Sequence, residues 1–190
     1  MIRRKKSAIP NSDPEARIAA AGFRLLASRP WRELTIASIG RAAKIPLHEV
    51  LKIAPSRSGL IAILLRQAER ETMRAYRPEA GQRNVRERLF DVVMSWFDVQ
   101  QPRKKAMGNL YRDLAKEPLS LLLLRAQIMR ISEGLLALAE ADAGLASSVR
   151  AAGLAAVVAR CIPVWLEDDR EMGRTMAQLD RGLRRLGRLL

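Results

Sequence analysis

Residues Thr35–Leu60 read TIASIGRAAKIPLHEVLKIAPSRSGL. Thr35 has the short hydroxyl side chain that caps a helix N-terminus. After it, Ile36, Ile39, Ala42 and Ala43 give the inner face of a short helix. Lys44-Ile45-Pro46 breaks that helix, because the residue before a proline is driven out of the helical region. A second short helix spans about Leu47 to Ala54, and Pro55-Ser56 closes it and opens a longer one. Two short helices joined by a tight break are the helix-turn-helix plan, in which the second helix is offered to the DNA major groove. Ile39, Ala43, Ile45 and Val50 are the apolar residues on which the two helices cross.

Upstream, Ser12-Asp13-Pro14-Glu15 is a helix start with two readings. Either Ser12 and Glu15 form a capping box, or Asp13 caps a helix with Pro14 at its first position. Ile18, Gly22, Leu25 and Leu26 then share one face, and Arg29-Pro30 ends the helix. Downstream, the helix opened by Ser56 runs through Leu60, Ile61, Leu64, Leu65 and Ala68 to about Tyr76. A linker at 78–81 precedes helices expected near 85–100, 103–116, 119–141, 147–167 and from 170 to the end. Pro163 falls inside the fourth of these, where a missing backbone donor kinks a helix. No stretch alternates with period two, so no strand is expected. The expectation is an all-α chain of about nine helices. Residues 1–11 form a basic flexible arm, 12–57 a three-helix helix-turn-helix domain, and 58–190 a helical ligand-binding and dimerisation bundle.

Composition narrows the function classes. The single Cys161 rules out an internal disulfide framework, and one Cys with one His cannot make a Cys/His zinc site. His48 is the only possible histidine base, and no phosphate-loop or dinucleotide fingerprint accompanies it, so neither an enzyme nor a cofactor is expected. The longest uncharged stretch is the nine residues between Arg150 and Arg160, so no membrane span is expected, and the basic start has no apolar segment of a secretory signal behind it. A cytoplasmic protein is the resulting expectation.

The net charge is +14, and it is unevenly placed. Residues 1–66 carry 13 Lys/Arg against 4 Asp/Glu, a surplus of nine, while 67–190 carry 21 against 16. Three explanations stand, one of them an anionic membrane surface. An Arg-rich genomic composition accounts for 27 Arg to 7 Lys, and a polyanionic partner accounts for the concentration of charge beside the helix-turn-helix.

From Thr35 to Leu60 the sequence resembles the TetR family of transcriptional regulators without a gap. Thr35, Ile39, Ala42-Ala43, Ile45, Val50 and Pro55-Ser56-Arg57 through Leu60 stand at that family's Thr-x-x-x-Ile, Ala-Ala, Val and Pro-Ser-Lys…Leu positions. The differences are local. The turn has Lys44 where the family usually has Gly, and Leu51 and Ile53 replace two tyrosines that often meet the DNA backbone. The resemblance implies a dimeric protein that binds double-stranded DNA and answers to a small apolar effector. Thr35, Lys44, His48, Lys52 and Arg57 are the expected DNA-binding residues of the core motif. Arg3, Arg4, Lys5 and Lys6 are either a DNA-binding arm or a solvated tail. Side chains suited to reading bases are few on the second helix, so phosphate contacts are expected to dominate.

The C-terminal bundle offers candidate pocket residues in Met94, Trp96, Phe97, Tyr111, Met129 and Trp165, flexible or aromatic side chains that line a cavity or simply fill a core. Met172, Met176, Leu179, Leu183, Leu186 and Leu190 are spaced 4, 3, 4, 3, 4, which makes a narrow coiled-coil-like stripe. The stripe is a dimer seam if it meets a second subunit, and core if it packs within its own. A second resemblance is looser. Val85-Arg86-Glu87-Arg88-Leu89 and the stretch from Trp165 to Arg181 resemble a TetR-fold accessory family of coenzyme Q biosynthesis, which would imply lipid or isoprenoid binding without specific DNA binding. A basic amphipathic last helix fits that alternative.

Overall fold

The computed structural model describes residues 13–77, 84–116, 118–141 and 147–187, with 118–120 as backbone alone. Among the described residues there are nine α-helices, two short 3-10 turns and no strand. The helices are α1 (Pro14–Leu26), α2 (Ile36–Ala43), α3 (Leu47–Ile53), α4 (Arg57–Ala75), α5 (Val85–Gln100), α6 (Lys104–Leu114), α7 (Pro118–Leu138), α8 (Ser147–Glu167) and α9 (Gly173–Leu186). The 3-10 turns are Trp31–Glu33, between α1 and α2, and Gln101–Arg103, between α5 and α6.

Local chemistry sets the boundaries. Asp13 caps α1, its side chain accepting from the Glu15 amide at 3.1 Å, with Pro14 at the first helical position. This is the second of the two readings of that start. Thr35 and Ser38 cap α2 reciprocally, each side chain accepting from the other's amide at 3.0 Å. Ser56 caps α4 by accepting from Gly59 N at 3.1 Å. Asp168 closes the α8–α9 connection, accepting from the Thr175 amide and hydroxyl, both at 2.7 Å. Burial pushes the Asp168 carboxyl up, but these Thr175 hydrogen bonds outweigh it and hold the group below the usual carboxylate range.

α4 joins the two regions. Its first half packs on α1, where Gly22 lets the backbone come so close that an added Cβ would lie 2.8 Å from Leu64 Cδ2. Ion pairs reinforce this contact: Arg66 to Glu15 at 3.2 Å, and Arg70 to Asp13 and Glu15 at 3.2 and 3.0 Å. The far half of α4 packs on α5 and α7. There the Arg103 guanidinium reaches Glu71 at 2.6 Å and lies 4.7 Å above the Phe23 ring of α1.

The leucine stripe of the last helix is core, which corrects its assignment as a dimer seam. Leu179 and Leu183 are fully buried, Leu186 and Met172 nearly so, and only Met176 is exposed, at 38%. They face α8 and α5 of the same chain. Leu190 lies outside the described residues. The stripe is equally unavailable to a lipid surface, which removes the amphipathic last helix as support for the isoprenoid alternative. Gly153 of α8 and Gly182 of α9 serve the same internal contact. A Cβ added at Gly182 would lie 2.5 Å from Val157 Cγ1, and one at Gly153 would overlap Leu186.

α8 needs a second qualification. By length and composition alone it is apolar enough to cross a bilayer, with a mean hydropathy of 1.6. Isolated arginines do not lower an average over a full window far enough to reveal themselves. Its inward residues Leu154, Val158, Cys161 and Trp165 are buried in the bundle.

Leu183→Ala should destabilise the fold by about 2–5 kcal/mol in urea unfolding, because it empties a fully packed site. Cys161 is buried, and desolvation pushes its thiol up to about 12. It should therefore ignore a thiol-reactive disulfide reagent at pH 8 until the chain is denatured.

Candidate nucleic-acid interface and bundle cavity

The helix-turn-helix is built on one close crossing. A Cβ added at Gly40 of α2 would sit 3.0 Å from Val50 Cγ2 and 3.2 Å from the Ile45 carbonyl oxygen. Val50 is the one fully buried residue of α3. The turn between the helices passes through Lys44, which takes the left-handed conformation at φ 56°, ψ 42°. That geometry explains why glycine is the commoner residue at such a turn. From α1, Arg17 donates to the carbonyls of Ala43 and Lys44 at 2.8 Å, and Arg24 donates to Ala42 O at 2.9 Å. These guanidinium groups satisfy carbonyls left open at the end of α2 and sit at its negative dipole end.

With Val50 turned inward, α3 presents Leu47, His48, Leu51 and Lys52 to solvent. Leu47 and Leu51 are 47% and 41% exposed, which leaves an apolar pair one turn apart. His48 and Lys52 form the parallel polar pair. The His48 side chain has Glu49 4.0 Å away as its charged neighbour. On α2, Thr35, Ser38 and Arg41 recur at every third position along one strip, with Thr35 and Arg41 exposed.

The structure gives Arg57, expected at the DNA, an internal task as well. Its guanidinium donates to Leu34 O and Trp31 O, both at 2.8 Å, and to Arg32 O at 3.4 Å, and it stacks 4.8 Å from the Trp31 ring centroid. It pins the connection between α1 and α2 to the start of α4. Of the expected residues, Thr35, Lys44, His48 and Lys52 are exposed on the α2–α3 unit, and Arg3, Arg4, Lys5 and Lys6 lie outside the described residues. Sequence reading passed over Arg41, which has no hydrogen-bond or ionic partner among the described residues.

In the bundle, Trp96, Phe97 and Trp165 form a buried aromatic cluster, with centroids 5.0 to 6.3 Å apart. Trp96, Tyr111 and Trp165 line an apolar cavity of about 40 Å³. The rest of its wall is aliphatic, including Met107, Ile128 and Ile162. The other expected pocket residues lie elsewhere. Phe97 fills the core beneath the tryptophans, Met94 packs on the core edge, and Met129 borders a separate groove between α7 and α8. The indole N–H groups of Trp96 and Trp165 are buried with no acceptor among the described residues.

α6 has two working faces. One borders this cavity through Met107, Leu110 and Tyr111. The other holds the N-terminal module: Asn109 Nδ2 donates to Leu26 O at 2.6 Å, and Asp113 accepts from Arg32 N at 3.4 Å. A displacement of α6 would thus be felt at the end of α1 and at the 3-10 turn that follows it. Among the described residues, no cluster of His, Cys, Asp or Glu has the makings of a metal site.

Comparison with known proteins places this arrangement. No family model and no curated protein matches the sequence. Solved structures do match. A TetR transcriptional regulator from Nitrosomonas europaea aligns with a TM-score of 0.69 at 17% identity, over 92% of this chain and 99% of that one. A TetR transcriptional regulator from Rhodococcus sp. RHA1 aligns at 0.67 and 12% identity, over 91% and 94%. The TetR family repressor AlkX from a Dietzia strain, implicated in biodegradation of n-alkanes, aligns at 0.55 and 17% identity, over 92% and 98%. The chain has the fold of TetR-family transcriptional regulators, all-α with an N-terminal helix-turn-helix and a C-terminal helical bundle.

Arg57→Ala should lower stability by about 1–3 kcal/mol, because it strips hydrogen-bond donors from partly buried carbonyls. Lys44→Gly should raise stability by about 1 kcal/mol in thermal unfolding, because it relieves the left-handed turn.

Proposed function

We propose that the protein is a dimeric DNA-binding transcriptional regulator of the TetR type. The observation that carries this reading is the α2–α3 crossing at Gly40 and Val50, which leaves a whole helix face of Leu47, His48, Leu51 and Lys52 unburied. A seven-residue helix exposed in this way contributes little to its own core and is explained by a partner surface. Lys44, Lys52 and Arg41 supply phosphate contacts, with Thr35 as a further hydroxyl donor. Leu47 and Leu51 offer apolar contact of the kind that meets thymine methyl groups. Residues 1–11 act as the basic arm, 12–57 as the DNA-binding domain and 58–190 as the effector and dimer domain.

The effector occupies the bundle beside Trp96, Tyr111 and Trp165, and α6 passes its arrival to the DNA-binding module through Asn109 and Asp113. Its influence on DNA equals its difference in affinity for the two positions of α6. With the leucine stripe of α9 buried, dimerisation falls to the outward face of α8 and α9. Val149, Ala152 and Ala156 of that face are exposed and, being small or apolar, let a partner helix come close. The reading includes no catalytic activity and a cytoplasmic location.

Gel retardation with DNA from the protein's own promoter region tests this. Binding should fall steeply with salt, and Lys52→Ala should reduce the log–log slope by about one. Equal affinity for that region and for random DNA would count against a regulator. In sedimentation, Ala156→Glu should yield monomers that keep their helical content, and an unchanged dimer mass would move the interface elsewhere.

A further inference from the structure

The aromatic cavity is too small for a ligand as it stands, at about 40 Å³. That is little more than one water's share of liquid volume. Tyr111, however, also borders a larger groove of about 710 Å³ on the surface between α6 and α8. The groove has an apolar floor of Tyr111, Pro163 and Leu166. Gly108 makes this approach of the helices possible, since a Cβ there would lie 3.3 Å from Leu166 Cδ2. Pro163 has no N–H to give the Ala159 carbonyl, so α8 is weakened on the wall of the groove.

The rim is strongly one-signed. Lys104, Lys105 and Arg112 border the groove against the single carboxylate of Glu167. The neighbouring acids are turned away: Asp168 is held by Thr175 at the α9 cap, and Asp113 accepts from Arg32 N on the opposite face of α6. Lys104 Nζ donates to Asp168 O at 2.5 Å and lies 5.7 Å from the Trp165 ring centroid, so a cation already stands between the groove and the aromatic cluster. Lys105 is exposed and has no partner among the described residues. Gln101, also on the groove wall, has a buried side-chain Nε2 with no acceptor among the described residues. Deeper in, the Trp96 and Trp165 N–H groups also lack acceptors among the described residues.

We infer that the α6–α8 groove is an anion-selective entrance to the bundle, and that its ligand is an anionic amphiphile, a carboxylate-type head on an apolar body. The head sits among Lys104, Lys105 and Arg112, and the body runs over Tyr111 and Leu166 towards the tryptophans. This rests on the reading of the bundle as an effector domain and names the chemistry of that effector. A neutral alkane or alcohol would leave the cationic rim without a counter-charge. A cationic amphiphile would be repelled by it.

Titration of the full-length protein with octanoate, 1-octanol and octyltrimethylammonium, read by calorimetry and tryptophan emission, tests the inference. Octanoate should bind at least about tenfold more tightly than octanol, and the cation should not bind. Raising salt should weaken octanoate binding alone, because its selective part is the screened charge. Lys105→Glu should cut octanoate affinity by about tenfold and leave octanol unchanged. If that variant folds poorly, the salt titration of the unaltered protein decides between the same two outcomes. Equal binding of octanoate and octanol, or octanoate binding indifferent to salt and to Lys105→Glu, overturns the inference. Repeating gel retardation with octanoate separates the entrance from its regulatory role. Octanoate that binds by these criteria without changing DNA retention upholds the entrance and refutes that role. Retained DNA binding with no octanoate binding refutes the entrance and leaves the DNA-binding reading standing.

Discussion

Close approach of helix backbones at glycine is the constraint on which this structure depends. Aromatic residues make up only 4% of the chain, so few large side chains exist to fill wide gaps between helices. The helices instead come together where a Cβ is missing. Gly22 admits Leu64 and seats α1 on α4, Gly40 admits Val50 and sets the helix-turn-helix, and Gly182 admits Val157 and locks α9 to α8. Each contact gains dispersion energy over many atoms only because the packing is tight. The three large rings that do cluster, Trp96, Phe97 and Trp165, fill the space between α5 and α8.

Charge is used in two ways. Several arginines of the N-terminal region work internally. Arg17, Arg24 and Arg57 donate to backbone carbonyls, and Arg66 and Arg70 meet Asp13 and Glu15. Guanidinium groups suit this work, because a planar fork can satisfy several carbonyls at once while staying charged. On the α2–α3 unit the cations left outward are Arg41, Lys44 and Lys52. A second group, at the α6–α8 groove, lies in the part of the chain that is closer to neutral, so the uneven charge along the sequence gives no hint of it.

Capping residues and breakers were legible because their chemistry is local. Thr35, Ser56 and the Asp13-Pro14 pair marked helix starts that depend only on neighbours within one turn. The helix-turn-helix was legible for the same reason. What stayed hidden depended on contacts distant in sequence. Arg57 shares its motif position with a phosphate-contacting role, yet its partners are carbonyls 23 to 26 residues away. The cavity draws on α4 to α8, so of the six expected pocket residues only Trp96, Tyr111 and Trp165 meet there.

Reading along the chain is enough to establish that it is all helix, where most helices begin, and that a short capped pair forms a helix-turn-helix. Periodicity and capping are properties of one helix, and they can be read along it. What each helix faces was decided only by the packed chain. The stripe from Met172 to Leu186 has the spacing of a seam between subunits, but the spacing defines only a line of apolar side chains. The glycines of α8 and α9 bring that line against its own chain. Nothing in a single helix can state this, because it takes two surfaces to make a contact.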